Sequence, residues 1–227
     1  MAKTALVFGS TGLIGSHLLE KLCSDERYDR VKIFVRRKST DLIFNIEKVE
    51  QCIVDFDRLD EYAKQIIGDD IFICVGTTIK NVKGDKAAFR KVDFDIPVDA
   101  ARLASQNNVK GFFVISSLGA DAGSNNFYLK TKGEMEKAVQ QFKFERLSFL
   151  RPSILLGNRN EVRVGESIAQ FIMKPLAFLF IGPLKQYKPN DSKLVAMAMI
   201  EIANTPKPKL IYESSEITTI GNDYSKN

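Results

Sequence analysis

Two serines, Ser116 and Ser117, stand a short way ahead of a tyrosine and a lysine, Tyr128 and Lys132, that are four positions apart. Four positions on a helix place two side chains on one face. A phenol is a poor base at neutral pH, but a nearby ammonium favours its ionised form. A serine hydroxyl that shares a substrate oxygen with the phenol completes a donor pair for a carbonyl receiving hydride. Strand register decides which serine faces inward, and Ser117 is the one expected to do so. Ser117, Tyr128 and Lys132 are therefore the candidate catalytic group. The chemistry is hydride transfer to or from a small carbonyl or alcohol.

The hydride carrier is announced by the segment Gly9-Ser10-Thr11-Gly12-Leu13-Ile14-Gly15, which follows an apolar run from Lys3 to Phe8 and opens helical periodicity from Leu13 to Leu22. Gly9 can take a tight turn, Gly12 lets backbone approach a pyrophosphate, and Gly15 lets the helix pack closely on the strand. The free N–H groups at the helix start favour an anion, and Ser10 and Thr11 add hydroxyl donors. In dinucleotide-binding domains an acid about 20 residues further on bonds the ribose 2′-hydroxyl. Here Arg36, with Arg37 and Lys38, stands in that place. A guanidinium pairs with a 2′-phosphate where a carboxylate would repel it, so NADP(H) is the preferred cofactor and NAD(H) the second choice. Asp55 and Phe56, after the third strand, would lie near adenine, unless Asp55 only caps a turn. Val75, Gly76, Thr77 and Thr78 follow the fourth strand, where Gly76 allows a ligand to pass close to the backbone.

These residues need a scaffold that brings strand ends to one edge. Strands are expected at Val31–Val35, Val49–Val54, Asp70–Val75, Gly111–Ile115 and Arg146–Leu150 after the first at Lys3–Phe8. Helices are expected at Leu59–Ile67, Phe89–Asn107 and Phe127–Phe142. Strands alternating with helices imply a parallel sheet covered on both faces, with the doubly wound order 3-2-1-4-5-6. The fold class is α/β, a Rossmann-type doubly wound parallel sheet with a small C-terminal helical substrate lobe. Residues 1–227 form one domain, with a cofactor-binding core over roughly 1–150 and the lobe over 151–227. Past Pro152, Glu166–Phe180 and Lys193–Asn204 read as helices, Leu210–Tyr212 as a short strand, and the tail from Gly221 as polar and frayed.

Composition narrows the classes. The chain has 227 residues, 44% hydrophobic and 27% charged, an ordinary balance for a globular domain with a sizeable core. The net charge of +5 is spread along the chain without a like-charge run, which argues against nucleic acid as a partner. Cys23, Cys52 and Cys74 are far apart and read as small core residues, giving neither a disulfide framework nor a metal site. A single histidine, His17, rules out a Ser-His-Asp hydrolase and a zinc mechanism. The start of the chain does not read as a signal peptide, so the cytoplasm is the expected compartment. The apolar stretch from Pro175 to Pro183, about nine residues against the roughly 20 needed to span a bilayer, reads as a buried helix or pocket wall. It also suits a dimer contact or a peripheral membrane contact, and the chain is expected to be a monomer or homodimer. Phe171, Met173, Leu176 and Phe178 would wall an apolar pocket.

Together these motifs resemble the short-chain dehydrogenase/reductase family. The loop G-x-x-G-x-x-G is similar to that of its extended and atypical branches, and Arg151-Pro152-Ser153 through Gly157 resembles their R-P-x-x-x-x-G. More narrowly, Val35-Arg-Arg-Lys, Val54-Asp-Phe, Cys74-Val-Gly-Thr-Thr, Ser116-Ser-Leu-Gly-Ala-Asp and Tyr128-Leu-Lys-Thr-Lys-Gly-Glu resemble the atypical branch that contains the Tat-interacting protein oxidoreductases. The resemblance implies NADP binding, a compact C-terminal substrate lobe, and Ser116, Tyr128, Lys132, Arg151, Pro152 and Ser153 beside the cofactor. Two departures count against sugar epimerisation. The asparagine-rich stretch of the larger branch is replaced by Gly76-Thr77-Thr78, so its assisting asparagine has no obvious counterpart, and the lobe is short. The competing function is an NADPH-binding redox sensor, which would need the glycine loop and Arg36 but not Tyr128.

Overall fold

A computed structural model describes residues 2–156 and 188–225. Seven parallel strands form one sheet: β1 (Lys3–Phe8), β2 (Tyr28–Val35), β3 (Val49–Ile53), β4 (Asp70–Ile73), β5 (Gly111–Ile115), β6 (Arg146–Arg151) and β9 (Ile211–Glu213), in the order β3-β2-β1-β4-β5-β6-β9. The first six keep the expected doubly wound order, and β9 adds a seventh beyond β6. A separate small pair joins β7 (Leu155–Leu156) to β8 (Asn190–Asp191), again in parallel.

Strand alternation divides the core into two layers. On one face Val7, Ile33, Phe72, Phe113 and Leu150 pack against α1 (Leu13–Ser24) and α5 (Ser192–Ala203). On the other, Leu6, Phe8, Phe34, Ile71, Ile73, Phe112 and Phe149 meet α3 (Ile96–Gln106) and α4 (Phe127–Val139). A parallel sheet buried on both faces needs such continuous apolar strands. At the amino edge the fully buried Asp70 accepts from the Tyr28 hydroxyl at 2.8 Å, from Lys3 Nζ at 3.1 Å and from Arg146 Nη2 at 2.8 Å, tying β1, β2, β4 and β6 together.

Several expected elements are changed in detail. The segment expected as a helix over Leu59–Ile67 is a 3-10 run, Phe56–Gln65, broken by a non-helical Arg58. The helix expected from Phe89 begins at α2 (Lys86–Arg90), because Asp85 caps it by accepting from the Ala87 and Ala88 N–H groups. It then passes through one π turn, Lys91–Asp95, before α3. Pro97 explains the wide turn. It has no N–H for the Asp93 carbonyl, and its ring would crowd that carbonyl in a regular helix. The Ile96 N–H bonds instead to Lys91 O.

The C-terminal segment departs most. The tail expected to fray from Gly221 lies inside a helix, α6 (Ser214–Tyr224), with Ile217 and Gly221 buried against α5. Its apolar stripe of Ile217, Ile220 and Tyr224 has helical spacing, and the Tyr224 hydroxyl donates to Asp25 Oδ2 at 3.2 Å. Residue 150 lies within β6, and β9, α5 and α6 all pack with the sheet. The helix expected over Glu166–Phe180, the apolar stretch from Pro175 to Pro183 and the pocket residues Phe171, Met173, Leu176 and Phe178 lie outside the described residues. No helix among the described residues is long and apolar enough to cross a membrane.

The docking of α6 is testable at Gly221. A Cβ there would stand 2.3 Å from Leu194 O, against backbone that cannot move aside. Gly221→Ala should lower stability by about 1–3 kcal/mol, read as a reduced urea midpoint. An unchanged midpoint would mean that α6 is not packed on α5.

Candidate active site

The strand order reverses between β1 and β4, and in such sheets ligands bind in the crevice beyond the strand ends at that point. The glycine loop lies there. Gly9 has φ +84°, and a Cβ on it would stand 2.7 Å from the backbone of Cys74 and Val75, just after β4. A Cβ on Gly15 would come within 2.0 Å of Gly9 O, so α1 starts against the loop itself. Gly12 caps α1 without a side-chain bond, which leaves the first helical N–H groups facing outward for a ligand. The Ser10 hydroxyl is fully buried and has no hydrogen-bond partner among the described residues. A buried orphan donor beside an uncapped helix start fits a pyrophosphate oxygen. Thr11 is exposed, Leu13 half-buried and Ile14 in the core.

An open cleft of about 470 Å³ lies beside β2 and β3, lined by Arg36, Ile53, Val54, Asp55, Phe56, Asp57 and Tyr62. Arg36, Arg37 and Lys38 are exposed at the end of β2, and Arg36 alone of the three lines the cleft. The Asp55 carboxylate caps the following 3-10 run, accepting from the Asp57 N–H at 2.9 Å. Tyr62 was not legible as a site residue. Its position depends on the 3-10 run folding back over β3.

On the other side of the crevice, Tyr128 and Lys132 lie one turn apart on α4, whose start is capped by Asn126 accepting from the Leu129 N–H. The Tyr128 ring meets Phe89 edge-on at 5.8 Å between centroids. Lys132 is buried. Its ammonium pairs with Asp93 Oδ1 at 2.8 Å and reaches the carbonyl of Ile115, the last residue of β5, at 3.5 Å. Asp93 is 1% exposed and also accepts from the Thr77 N–H at 2.8 Å. Burial by itself would lower the Lys132 ammonium, but Asp93, with Tyr128 and Glu136 adding to it, holds it above the ordinary lysine value. Asp93 was missed from sequence. The signal present was Pro97, whose effect on the helix forms the π turn that holds Asp93.

The two serines are distinguished by their partners. The Ser116 hydroxyl donates to Glu136 Oε1 at 2.5 Å, whereas Ser117 is half-buried and its hydroxyl has, among the described residues, a single 3.4 Å contact with the carbonyl of Leu118. Arg151 is engaged too. It donates to both oxygens of Glu136, at 2.9 and 2.6 Å, and pairs with Glu213 at 3.4 Å. The carbonyl of Pro152 accepts from the Leu118 N–H at 2.9 Å, and the Ser153 N–H donates to Asn190 Oδ1 at 2.8 Å. Val75 and Gly76 pass beside this site, where a Cβ on Gly76 would meet Asp93 Oδ1 at 3.4 Å. Thr78 Oγ1 accepts from the Asn81 N–H. Among the described residues no cluster of metal ligands occurs.

Residues 9–171 match the family model described as NAD(P)H-binding. The chain belongs to this NAD(P)H-binding family. The NAD(P)H-binding chain is 39% identical to protein HTATIP2 of Rattus norvegicus over 169 residues, covering 74% of this chain and 69% of the relative. It is 30% identical over 225 residues to a protein of Meyerozyma guilliermondii named FMP52, mitochondrial, covering 97% of this chain and 96% of that one. Among solved structures, the oxidoreductase ylbE from Lactococcus lactis superposes with a TM-score of 0.63 at 17% identity, covering 99% of this chain and 97% of that one. The expected kinship on the Tat-interacting side is met by the 39% identity to HTATIP2.

The buried pair Asp93–Lys132 has a measurable consequence. Removing one partner of such a pair strands a charge at a cost of about 3–5 kcal/mol. Asp93→Ala should show a loss of that order in urea unfolding, and Lys132→Met in the same chain should restore much of it. Simple addition of the two single losses would show that the pair is not coupled.

Proposed function

We propose that this chain is an NADP(H)-dependent oxidoreductase acting on a small carbonyl or alcohol. The observation that carries the reading is the placement of Tyr128 and Lys132 on one face of α4, with the lysine charge held by Asp93, on the same sheet edge as the glycine loop and its orphan Ser10 hydroxyl. Bound nicotinamide would supply or accept the hydride. Gly9 to Gly15 would hold the pyrophosphate, and Asp55, Phe56 and Tyr62 would flank adenine. Val75 to Thr78 would border the remainder of the dinucleotide.

Arg36 supports NADP(H) over NAD(H). It lines the cleft beside β3, and neither it nor Arg37 or Lys38 has an ion-pair partner among the described residues. Unpaired guanidinium suits a 2′-phosphate, although Asp55 and Asp57 on the same cleft wall oppose part of that attraction.

At the reacting end, Tyr128 would give a proton to the substrate oxygen or take one from it. Ser117, whose hydroxyl has no strong partner among the described residues, would hold the same oxygen from a second side. Lys132, held in place by Asp93, would orient the nicotinamide ribose. Ser116 and Arg151 would support the site from beneath through Glu136, because both already bond to that carboxylate.

Two variants test this reading. Tyr128→Phe should keep the fold and NADPH affinity while losing about 10²–10⁴ in turnover across a panel of aldehydes and ketones. Full activity in that variant would overturn the mechanism. Retained NADPH binding with no turnover by the unaltered chain would favour the redox-sensor alternative. Arg36→Ala should weaken NADPH about tenfold or more while leaving NADH nearly unchanged, followed by nicotinamide fluorescence. Equal affinities of the unaltered chain for NADPH and NADH would remove the NADP preference.

A further inference from the structure

Gln51 has no part in the reading above, yet its carboxamide makes an unusual set of bonds. Its Oε1 accepts from the Ser39 N–H at 2.9 Å. Its Nε2 donates to Ser39 O at 3.0 Å and to Phe44 O at 3.3 Å. One side chain thus bonds both backbone groups of a residue 12 positions earlier and reaches the 3-10 turn beyond it. The bonded segment leaves β2 directly through Arg36, Arg37 and Lys38.

We infer that Gln51 is a specificity-positioning residue, which sets the discrimination for a 2′-phosphate by clamping the segment that carries Arg36, Arg37 and Lys38. The inference rests on the proposed NADP(H) reading and deepens it.

Three adjacent cations at a strand end repel one another, and none has an ion-pair partner among the described residues to hold it. Left loose, such a segment would have to be ordered when the phosphate arrived, and that ordering would cost affinity. Gln51 orders it beforehand. Gln51 is itself fixed by strand register, because it pairs with Ile33 in the β2–β3 ladder. Two residues along the same strand, Ile53 lines the cleft together with Arg36. The clamp and the cleft wall therefore share one element.

The chemistry requires an amide. A carboxamide offers one acceptor and two donors, and all three are used here. Glutamate keeps the acceptor but would set a carboxylate against the carbonyls of Ser39 and Phe44. Methionine keeps the length and offers neither donor nor a strong acceptor. Since Gln51 does not line the cleft, its loss should affect the cofactor only through the basic segment.

The test is a fluorescence titration of the full chain with NADPH and with NADH, for the unaltered protein, Arg36→Ala, Gln51→Met and Gln51→Glu. Both Gln51 variants should weaken NADPH by about fivefold and leave NADH within about twofold. If either folds poorly, the other supplies the measurement. Two outcomes overturn the role of Gln51 alone, given a native NADPH preference that Arg36→Ala removes. One is an unchanged NADPH-to-NADH ratio in the Gln51 variants. The other is an equal loss for both cofactors, which marks a general structural role. Equal affinity of the unaltered chain for the two cofactors overturns the NADP(H) reading and this inference with it.

Discussion

The carboxyl edge of the sheet depends on how closely α1 approaches the loops after β1 and β4. Room for a side chain is absent at two points: a Cβ on Gly15 would collide with Gly9 O, and a Cβ on Gly9 would collide with the backbone after β4. That contact goes with a left-handed turn at Gly9, a start of α1 without a side-chain cap, and a buried Ser10 hydroxyl that has no hydrogen-bond partner among the described residues. Such a loop would suit an anion, since buried donors without partners are rare unless a ligand or water satisfies them.

From that edge a line of alternating charges runs along α4. Asp93 meets Lys132, Glu136 lies one turn along α4, and Arg151 joins Glu136 to Glu213. The members come from four elements in different parts of the chain: the π turn, α4 (which carries both Lys132 and Glu136), β6 and β9. Burying such charges costs desolvation that only good geometry offsets. Their value is in position. Lys132 is fixed from three directions, by its own helix, by Asp93 and by the end of β5. Asp93 also grips the Thr77 N–H, so the loop after β4 and the reactive lysine are joined through one carboxylate.

The surroundings of the glycine loop and those of Tyr128 are built by different means. Around the glycine loop and Arg36, backbone groups and exposed cations serve, and Gln51 steadies the segment they leave from. Around Tyr128, buried side chains serve, and almost every polar atom there has an internal partner. This contrast accounts for Ser116 and Arg151. Both lie near the reactive end, and both are already committed to Glu136. The chain belongs to the NAD(P)H-binding family and is similar to HTATIP2.

Local patterns sufficed for the parallel sheet, its order through six strands, and the glycine loop with its helix, because each depends on residues adjacent in the chain: an apolar run, a turn, a periodic helix. The spacing of Tyr128 and Lys132 was legible for the same reason. The alternation along β5 did not by itself say which serine was occupied. Glu136, arriving 20 residues later on α4, decided that. Asp93 and Gln51 were invisible in sequence, since an acid in a helix or an amide in a strand reads as solvated until its partner is located. Their partners, Lys132 and Thr77 for one and Ser39 and Phe44 for the other, come from separate elements. The last helix shows the same limit. A polar tail with a glycine looked free to fray, but Ile217, Gly221 and Tyr224 form a narrow stripe that is ordered only when α5 stands opposite it. Contacts within a few residues are set by the order of side chains along the chain, whereas the meeting of distant polar groups is set by the packing of whole layers, and only the tertiary structure supplies it.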